Sequence, residues 1–253
     1  MAATVVIPAR FGSTRFPAKI LASKTGRPLV QHVVDQVRRC TLVREIVVAT
    51  DDQRIVDALI PFGTRCVMTS PAHQSGTDRI AEVAGSLRDD IIVNVQGDEP
   101  EIEPHVIDGL IAHMESHPDD MATACTAFKS MADVENPNMV KVVCSANGQA
   151  IYFSRSVVPH DRDRTATDPG VYRLHLGIYA YRRDFLLEFA SWKPTPLERT
   201  EKLEQLRAIE HGKRIFVLDV ATATSGIDTP EQYAEFVKRI SSKGPAHSDK
   251  MMI

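Results

Sequence analysis

Short apolar strand patterns alternate with amphipathic helix patterns through the first hundred residues. Runs rich in β-branched residues predict buried strands near residues 5–7, 45–50, 66–69 and 90–96. Apolar residues at helical spacing predict helices near residues 29–39, 55–59 and 77–84. The third helix is expected to begin at Thr77 or Asp78, since both are acceptable N-caps. This alternation predicts an α/β fold, a Rossmann-like, mostly parallel sheet with helices on both faces, which binds ligands at the carboxyl ends of its strands.

The pattern changes after Met121, where strands follow one another without helices between them. They are predicted at residues 121–128, 139–144, 151–154 and 174–181. Asn147-Gly148 is the signal of a two-residue hairpin loop. We interpret this region as a small antiparallel insertion that projects from the parallel half and contributes to subunit contacts.

The remainder of the chain returns to the mixed pattern. A single helix is predicted over residues 196–210, then a strand over 215–220 and a last helix from Asp228 to about residue 240. The polar residues 241–253 are expected to be disordered. We therefore predict one domain over residues 1–240, within which residues 121–181 contribute a sub-structure for subunit contacts.

Composition excludes some classes of protein. The chain has 253 residues and a formal net charge of -3, which argues against a nucleic-acid-binding protein. There is no apolar run of eighteen residues and no N-terminal signal pattern, so no membrane partner is expected. Its four cysteines are far apart and predict neither disulfides nor a zinc site. A cytoplasmic protein is predicted.

The first predicted strand ends in a loop that carries three cations, Arg10, Arg15 and Lys19. Gly12 and Ser13 allow a ligand to approach the backbone closely, so phosphate binding is one interpretation. The loop matches neither the P-loop nor the dinucleotide-binding pattern. The other interpretation, a solvated basic loop with no ligand, remains open from the residues alone.

Two carboxylates are candidates for metal binding. Asp98 follows the strand that ends near Gln96, and hard oxygen ligands at that edge suit Mg²⁺ bound to phosphates. Asp228 begins the last predicted helix. Either residue could instead cap a helix. Together with the three cations, the two carboxylates would form a nucleoside triphosphate site.

Several motifs, in order, resemble those of the 3-deoxy-manno-octulosonate cytidylyltransferase family over residues 5–240. They are IPARFGSTRFPAK at 7–19, HQSGTDR at 73–79, VNVQGDEP at 93–100, NPNMVKVV at 136–143, YFSR at 152–155, HLGIY at 175–179, LEQLR at 203–207 and GIDTPE at 226–231. Two departures are Phe16, where the family commonly has Leu, and Ala18, where it usually has Gly. The resemblance implies the fold of the nucleotide-diphospho-sugar transferases. It also implies a homodimeric, Mg²⁺-dependent enzyme that makes CMP-Kdo from CTP and Kdo for lipopolysaccharide biosynthesis and releases pyrophosphate.

The resemblance also implies roles for individual residues. Those expected to contact the nucleotide are Arg10, Ser13, Arg15, Lys19, Gln74, Ser75, Gly76, Arg79 and Gln96. Mg²⁺ is expected on Asp98 and Asp228, and Lys19, Arg10 and Asp98 are expected to be catalytic. The residues expected to bind the sugar acid are Arg155, His175, Tyr179, Glu204 and Gln205. From the residues alone, Arg155 and His175 would be a surface cation and a hydrogen-bonded strand histidine.

Two alternatives differ from this prediction. The acceptor could be a related sugar acid, such as a sialic acid or an amino derivative of Kdo. The chain could also be a nucleotide-binding module without catalytic activity. The presence of Asp98 and Asp228 together with Arg10 and Lys19 argues against the second alternative, because binding alone does not require both metal carboxylates.

Overall fold

The protein is described by a computed structural model that covers residues 2–13, 15–73, 75–163, 168–222, 224 and 226–242. Its strands form a nine-stranded sheet within these ranges. They are β1 (Ala3–Ala9), β2 (Val43–Thr50), β3 (Cys66–Met68), β4 (Ile91–Asn94), β5 (Met121–Ala127), β6 (Lys141–Cys144), β7 (Ala150–Ser154), β8 (Arg173–Arg182) and β9 (Ile215–Asp219). The main strand order is β3-β2-β1-β4-β8-β5-β9, and the hairpin of β6 and β7 attaches to β8.

Helices cover both faces of this sheet. They are α1 (Leu29–Val37), α2 (Gln53–Leu59), α3 (Gly76–Ala84), α4 (Pro104–Ser116), α5 (Met131–Glu135), α6 (Arg183–Ser191), α7 (Pro196–Glu201), α8 (Gln205–Glu210) and α9 (Pro230–Ser242). Sequence analysis assigned no helix to α4 or α6. No helix in the described ranges has both the length and the apolar character that a membrane span requires. The predicted disorder of the tail falls, from residue 243 onward, outside the described residues.

The side chains of β1 alternate between the two faces of the sheet, and a separate layer of the core lies on each face. Val5 and Ile7 are fully buried in the cluster that includes α1 and α4, whereas Val6 is fully buried in the cluster that includes α3 and α6. Successive strand residues point to opposite faces of the sheet. The sequence of a strand that is buried on both faces is therefore a continuous run of apolar residues. β1 pairs in parallel with both β2 and β4. This confirms the predicted mostly parallel α/β sheet.

The antiparallel region is only partly an insertion. β8 pairs antiparallel with β4 and β5, and β5 pairs parallel with β9, so β5 and β8 lie within the main sheet. The physical reason is burial: Ala122, Ala124 and Ala180 are fully buried, and these strands extend the core. Only the β6–β7 hairpin lies outside the main strand order.

The turn between β6 and β7 is longer than predicted. Ser145 N donates to Gln149 O at 2.8 Å, which leaves a three-residue loop that ends at Gly148. Gly148 has φ 81°, the left-handed conformation that such loops require at this position. A Cβ there would lie 2.7 Å from the Phe216 ring, so the tight packing also requires glycine.

The predicted helix over residues 196–210 is two helices. α7 ends at Glu201, the next residue Lys202 has a φ of 56° that breaks the helix, and α8 begins at Gln205. A buried ion pair joins the two helices, since Arg207 NH2 lies 2.5 Å from Glu198 Oε1. Glu204 and Gln205 therefore lie at a helix break and not in the middle of a helix.

Candidate active site

The ends of β1 and β4 meet at one edge of the sheet. Gly97 follows β4, and a Cβ on it would lie 2.9 Å from Pro8 O, so only glycine allows the two segments to approach this closely. Asp98 comes next in the chain, and its backbone oxygen accepts a hydrogen bond from Ile227 N at 2.9 Å. The segment before α9 is thereby held against the exit of β4.

Lys19 joins the two predicted metal carboxylates. Its Nζ lies 2.6 Å from Asp98 Oδ2 and 2.9 Å from Asp228 Oδ1. Arg15 NH2 lies 3.1 Å from the same Asp228 oxygen. We call these four side chains, Arg15, Lys19, Asp98 and Asp228, the charge cluster. The structure thus brings together two of the three predicted cations and both carboxylates.

The helix-cap alternative for the carboxylates is not what the structure shows. The carboxylate of Asp98 bonds to Lys19. At the start of α9, Thr229 Oγ1 accepts from Gln232 N at 3.3 Å, and Gln232 Oε1 accepts from Asp228 N at 2.7 Å. The Asp228 carboxylate is therefore available to the charge cluster.

The charges in the cluster stabilise one another. Burial alone would lower the pKa of Lys19, but the hydrogen bonds and charges of Asp98 and Asp228 outweigh it, and the pKa is raised. Burial would raise the pKa of Asp228, but Lys19 and Arg15 lower it. Lys19 is therefore an ammonium, and Asp228 a carboxylate, at neutral pH.

One departure from the family, Ala18, directly precedes Lys19 in the chain. Ala18 has φ 54° and ψ 26°, a left-handed conformation that glycine adopts at little cost and alanine at about 1 kcal/mol. The family's usual glycine suits this backbone. The chain retains the same turn with alanine, and Lys19 still reaches the carboxylates.

Arg10 and Ser13 remain open to a ligand. Arg10 directly follows β1 and is exposed, and within the described ranges it makes no ion pair. Ser13 is partly exposed on the loop that leads to Lys19. These two predicted phosphate contacts thus lie on the same loop as Arg15 and Lys19.

Residues 74–79 are the second segment that was predicted to contact the nucleotide. Ser75, and not Thr77 or Asp78, is the N-cap of α3, because its hydroxyl accepts from Asp78 N at 3.1 Å. Gly76 is exposed, and a Cβ on it would contact the Pro8 side chain. Gln74 lies outside the described residues.

Arg79 is committed to contacts inside the protein. It is only 4% exposed, its NH2 lies 2.6 Å from Asp51 Oδ2, and its NH1 donates to the Thr69 hydroxyl. These contacts fasten α3 to the ends of β2 and β3. The predicted contact of Arg79 with the nucleotide stays a prediction.

A cavity of about 330 Å³ has Gln96, two residues before Asp98 of the charge cluster, in its lining. We call it the acceptor pocket; its lining includes Gly76, Thr77, Asn94, Gln96, Gly177, Tyr179, Tyr181, Lys202, Glu204 and Gln205. Gln96 is two residues before Asp98, so the pocket and the cluster are adjacent along the chain. The structure brings three predicted sugar-binding residues into this pocket: Tyr179, Glu204 and Gln205.

One buried polar group of the acceptor pocket has no hydrogen-bond partner among the described residues. Gln205 is 4% exposed, and its Nε2 has no hydrogen-bond acceptor among the described residues. A buried unpaired donor is costly, so it indicates a ligand or water at this position. Glu204 Oε2 accepts from Thr77 Oγ1 at 2.6 Å. Burial, and then the charge of Glu204, raise the pKa of Tyr179, which keeps its hydroxyl protonated.

His175 lines a neighbouring cavity of about 490 Å³, which shares Gly177 with the acceptor pocket. Thr123 Oγ1 donates to Ile178 O at 2.7 Å and lies 3.1 Å from His175 Nε2. Because a hydroxyl has one hydrogen, Thr123 then accepts from Nε2, and Nδ1 is the acceptor nitrogen of His175. Burial lowers the pKa of His175 to about 3, so the ring is neutral.

The guanidinium of Arg155 binds backbone carbonyls. It donates from Nε to Glu201 O at 2.6 Å, from NH1 to Pro137 O at 3.0 Å and from NH2 to Lys202 O at 3.4 Å. These contacts position the helix break that carries Glu204. Arg155 is absent from the lining of the acceptor pocket, so its predicted contact with the sugar carboxylate stays a prediction.

Sequence reasoning missed Glu99, which lies next to the charge cluster. Burial, and then the charge of Asp98, raise the pKa of Glu99 to about 8. It also missed Thr77 and Thr123, which hold Glu204 and His175. Glu99 carried a signal, an acidic pair at a strand exit, whereas the two threonines are recognisable only from the folded contacts.

Comparisons with known proteins identify the family of the chain. A family profile described as Cytidylyltransferase matches residues 4–215. The 3-deoxy-manno-octulosonate cytidylyltransferase of Geobacter metallireducens is 48% identical over 250 residues, covering 95% of this chain and 98% of that protein. The enzyme of the same name from Pseudomonas fluorescens is 50% identical over 248 residues, covering 94% and 97%.

Comparison with solved structures indicates the same family. A CMP:2-keto-3-deoxy-manno-octonic acid synthetase complexed with CTP superposes with a TM-score of 0.90 at 40% identity, covering 96% of this chain and 100% of that one. A cytidylyltransferase from Leptospira borgpetersenii, 18% identical with a TM-score of 0.63, shares the fold; it covers 96% of this chain and 87% of its own. The chain therefore belongs to the cytidylyltransferase family and, within it, to the 3-deoxy-manno-octulosonate cytidylyltransferases.

Proposed function

We propose that this protein transfers the cytidylyl group of CTP to the anomeric hydroxyl of Kdo, giving CMP-Kdo and pyrophosphate for lipopolysaccharide biosynthesis. The observation that carries the proposal is the charge cluster, together with a pocket that contains the unpaired Gln205 donor and, in its lining, Gln96, two residues before Asp98. The names of the similar proteins, which specify CTP and 3-deoxy-manno-octulosonate, support both substrates.

Charge neutralisation is the main task of the nucleotide loop. The acceptor oxygen attacks the α-phosphorus, the bond to the pyrophosphate oxygen breaks, and the hydroxyl proton is lost. Arg10, Ser13, Arg15 and Lys19 would bind the triphosphate oxygens and stabilise the charge that develops on the leaving pyrophosphate. Gln96, Ser75 and Gly76 would contact the cytidine side of the nucleotide.

Mg²⁺ is the cofactor we propose, held by Asp98 and Asp228. The described residues contain no group of three or more His, Cys, Asp or Glu side chains arranged to hold a metal ion. Two converging carboxylates nevertheless fit Mg²⁺, which is usually held by one or two carboxylates together with substrate phosphates and water. When bound, the metal would supply further neutralisation of the phosphate charge.

The acceptor pocket has the chemistry that a polyhydroxylated acid requires. Glu204 offers a carboxylate to hydroxyl donors, Gln205 offers an unpaired amide donor, and Tyr179 adds a protonated hydroxyl. In the neighbouring cavity, His175 adds a neutral ring with Nδ1 as acceptor. These groups would orient the anomeric hydroxyl towards the charge cluster, and Arg155 would keep the helix break in place.

A homodimer that forms through residues 121–181 of a single 1–240 domain is part of the proposal. Large apolar side chains on and near the β6–β7 hairpin are exposed, notably Ile151 at 56% and Val171 at 57%. Burial of such side chains in a subunit interface would be favourable. We also propose a cytoplasmic location, which the four unpaired cysteines support.

The proposal is tested by following pyrophosphate release with CTP, Mg²⁺ and a panel of sugar acids. We expect Kdo to give the highest kcat/KM, with sialic acid and amino-Kdo at least tenfold lower. Equal or better turnover of either competitor would assign the pocket to that acid. Absence of pyrophosphate release with every acid would refute cytidylyl transfer.

A further inference from the structure

Lys19 occupies the space between the two carboxylates that the proposed function assigns to the metal. Its ammonium lies 2.6 Å from Asp98 and 2.9 Å from Asp228, and the residue is 8% exposed. A long side chain with this little exposure has few alternative positions. A protein cation therefore already neutralises part of the charge of both carboxylates.

A divalent ion on the same carboxylates would have to compete with this ammonium. A cation held by these oxygens would lie beside Nζ, where like charges repel strongly in a partly buried site. Arg15 adds a second positive charge on Asp228. Metal binding thus requires Lys19 to move away, and a buried ammonium that leaves its partners needs a new anion.

The triphosphate of the nucleotide supplies that anion. Lys19 and the exposed Arg10 lie at opposite ends of one loop, residues 10–19, so phosphates bound along this loop come within reach of the Lys19 ammonium. If Lys19 transfers its hydrogen bonds from the carboxylates to the phosphates, both carboxylates become free for the metal.

We propose that Lys19 holds the place of the metal in the free enzyme and so makes metal binding depend on the nucleotide. This inference rests on the proposed function, in which Asp98 and Asp228 hold the metal. Coupling of this kind is reciprocal, so the nucleotide raises the affinity for the metal by the same factor as the metal raises the affinity for the nucleotide. Free metal ions alone bind the wild-type enzyme weakly.

The test measures binding of Mn²⁺ alone, without nucleotide, by the loss of the electron paramagnetic resonance signal of the free ion. We expect Lys19→Met to bind Mn²⁺ at least tenfold more tightly than the wild type, because the competing charge is removed. Lys24→Met, which removes an exposed lysine five residues away, should bind Mn²⁺ as the wild type does. A second readout is the thermal midpoint, which Mn²⁺ should raise clearly only in the Lys19 variant.

Affinity for Mn²⁺ that is equal in Lys19→Met and the wild type would overturn the inference. Lys19→Gln provides the same comparison if the methionine variant does not fold. The double variant Lys19→Met/Asp98→Asn separates the two proposals. If it binds Mn²⁺ as tightly as Lys19→Met, the assignment of Asp98 as a metal ligand fails. If it loses the gain, that assignment stands whatever the role of Lys19.

Discussion

Substitution of Glu204 tests the acceptor pocket directly. Glu204→Ala removes a carboxylate that, among the described residues, accepts a side-chain hydrogen bond only from Thr77, on Oε2. The other oxygen is left for a sugar hydroxyl. Loss of a hydrogen bond to a charged group costs about 1.5–3 kcal/mol, which corresponds to roughly a 10- to 150-fold change. We therefore expect kcat/KM for Kdo to fall by at least about tenfold, and Glu204→Gln to lose less.

The KM for CTP should change little in the same variant, because Glu204 contacts neither the nucleotide loop nor the charge cluster. The assay is steady-state pyrophosphate release with each substrate varied at saturation of the other. Glu210→Ala is the matched control, since Glu210 is exposed at the end of the same helix and outside both cavities. It should keep wild-type kinetics. A rise in the KM for CTP as large as that for Kdo in Glu204→Ala would refute this assignment.

Four further predictions address the rest of the site. Asp98→Asn and Asp228→Asn should each abolish most turnover with an unchanged circular dichroism spectrum, because each loses an anionic metal ligand; near wild-type rates at limiting Mg²⁺ would contradict this. Arg155→Ala should lower kcat/KM for Kdo about tenfold or more with little effect on the KM for CTP, by releasing the carbonyls of Glu201 and Lys202 or by loss of a sugar contact; unchanged kinetics would exclude both roles. Arg79→Met should lower stability by about 3 kcal/mol and the melting temperature by roughly 6–12 °C, because it leaves Asp51 without its partner; a shift below 2 °C in calorimetry would argue against a structural role. Ile151→Asp should convert the dimer to monomer in sedimentation at micromolar concentration, and a wild-type monomer would refute the proposed dimer.

Local patterns predicted the parallel half well. β1, β2, β3 and β4 lie where β-branched runs predicted them, because strands buried on both faces carry a continuous apolar signal. The helix break at Lys202 could not be predicted, since residues 196–210 keep a helical pattern throughout. The buried pair of Arg207 and Glu198 joins the two helices across the break, and this contact exists only in the folded chain.

The sequence predicted which residues form the site better than it predicted how those residues are arranged. The motifs identified Lys19, Asp98 and Asp228, and the structure brings them together. Motifs do not show which donors are already used, and the guanidinium groups of Arg79 and Arg155 are both engaged inside the protein. The supporting contacts of Thr77 and Thr123 depend on the pairing of distant segments, which a single sequence does not specify.

We propose that the charge cluster directs attack on the α-phosphorus of CTP by a sugar acid held in the acceptor pocket. Phosphorus-31 NMR of a reaction with CTP, Mg²⁺ and Kdo tests this proposal. We predict a new phosphodiester resonance that grows in a one-to-one ratio with pyrophosphate as the three CTP signals decline. Formation of CDP and inorganic phosphate, or of pyrophosphate with CMP and no phosphodiester, would contradict the proposal.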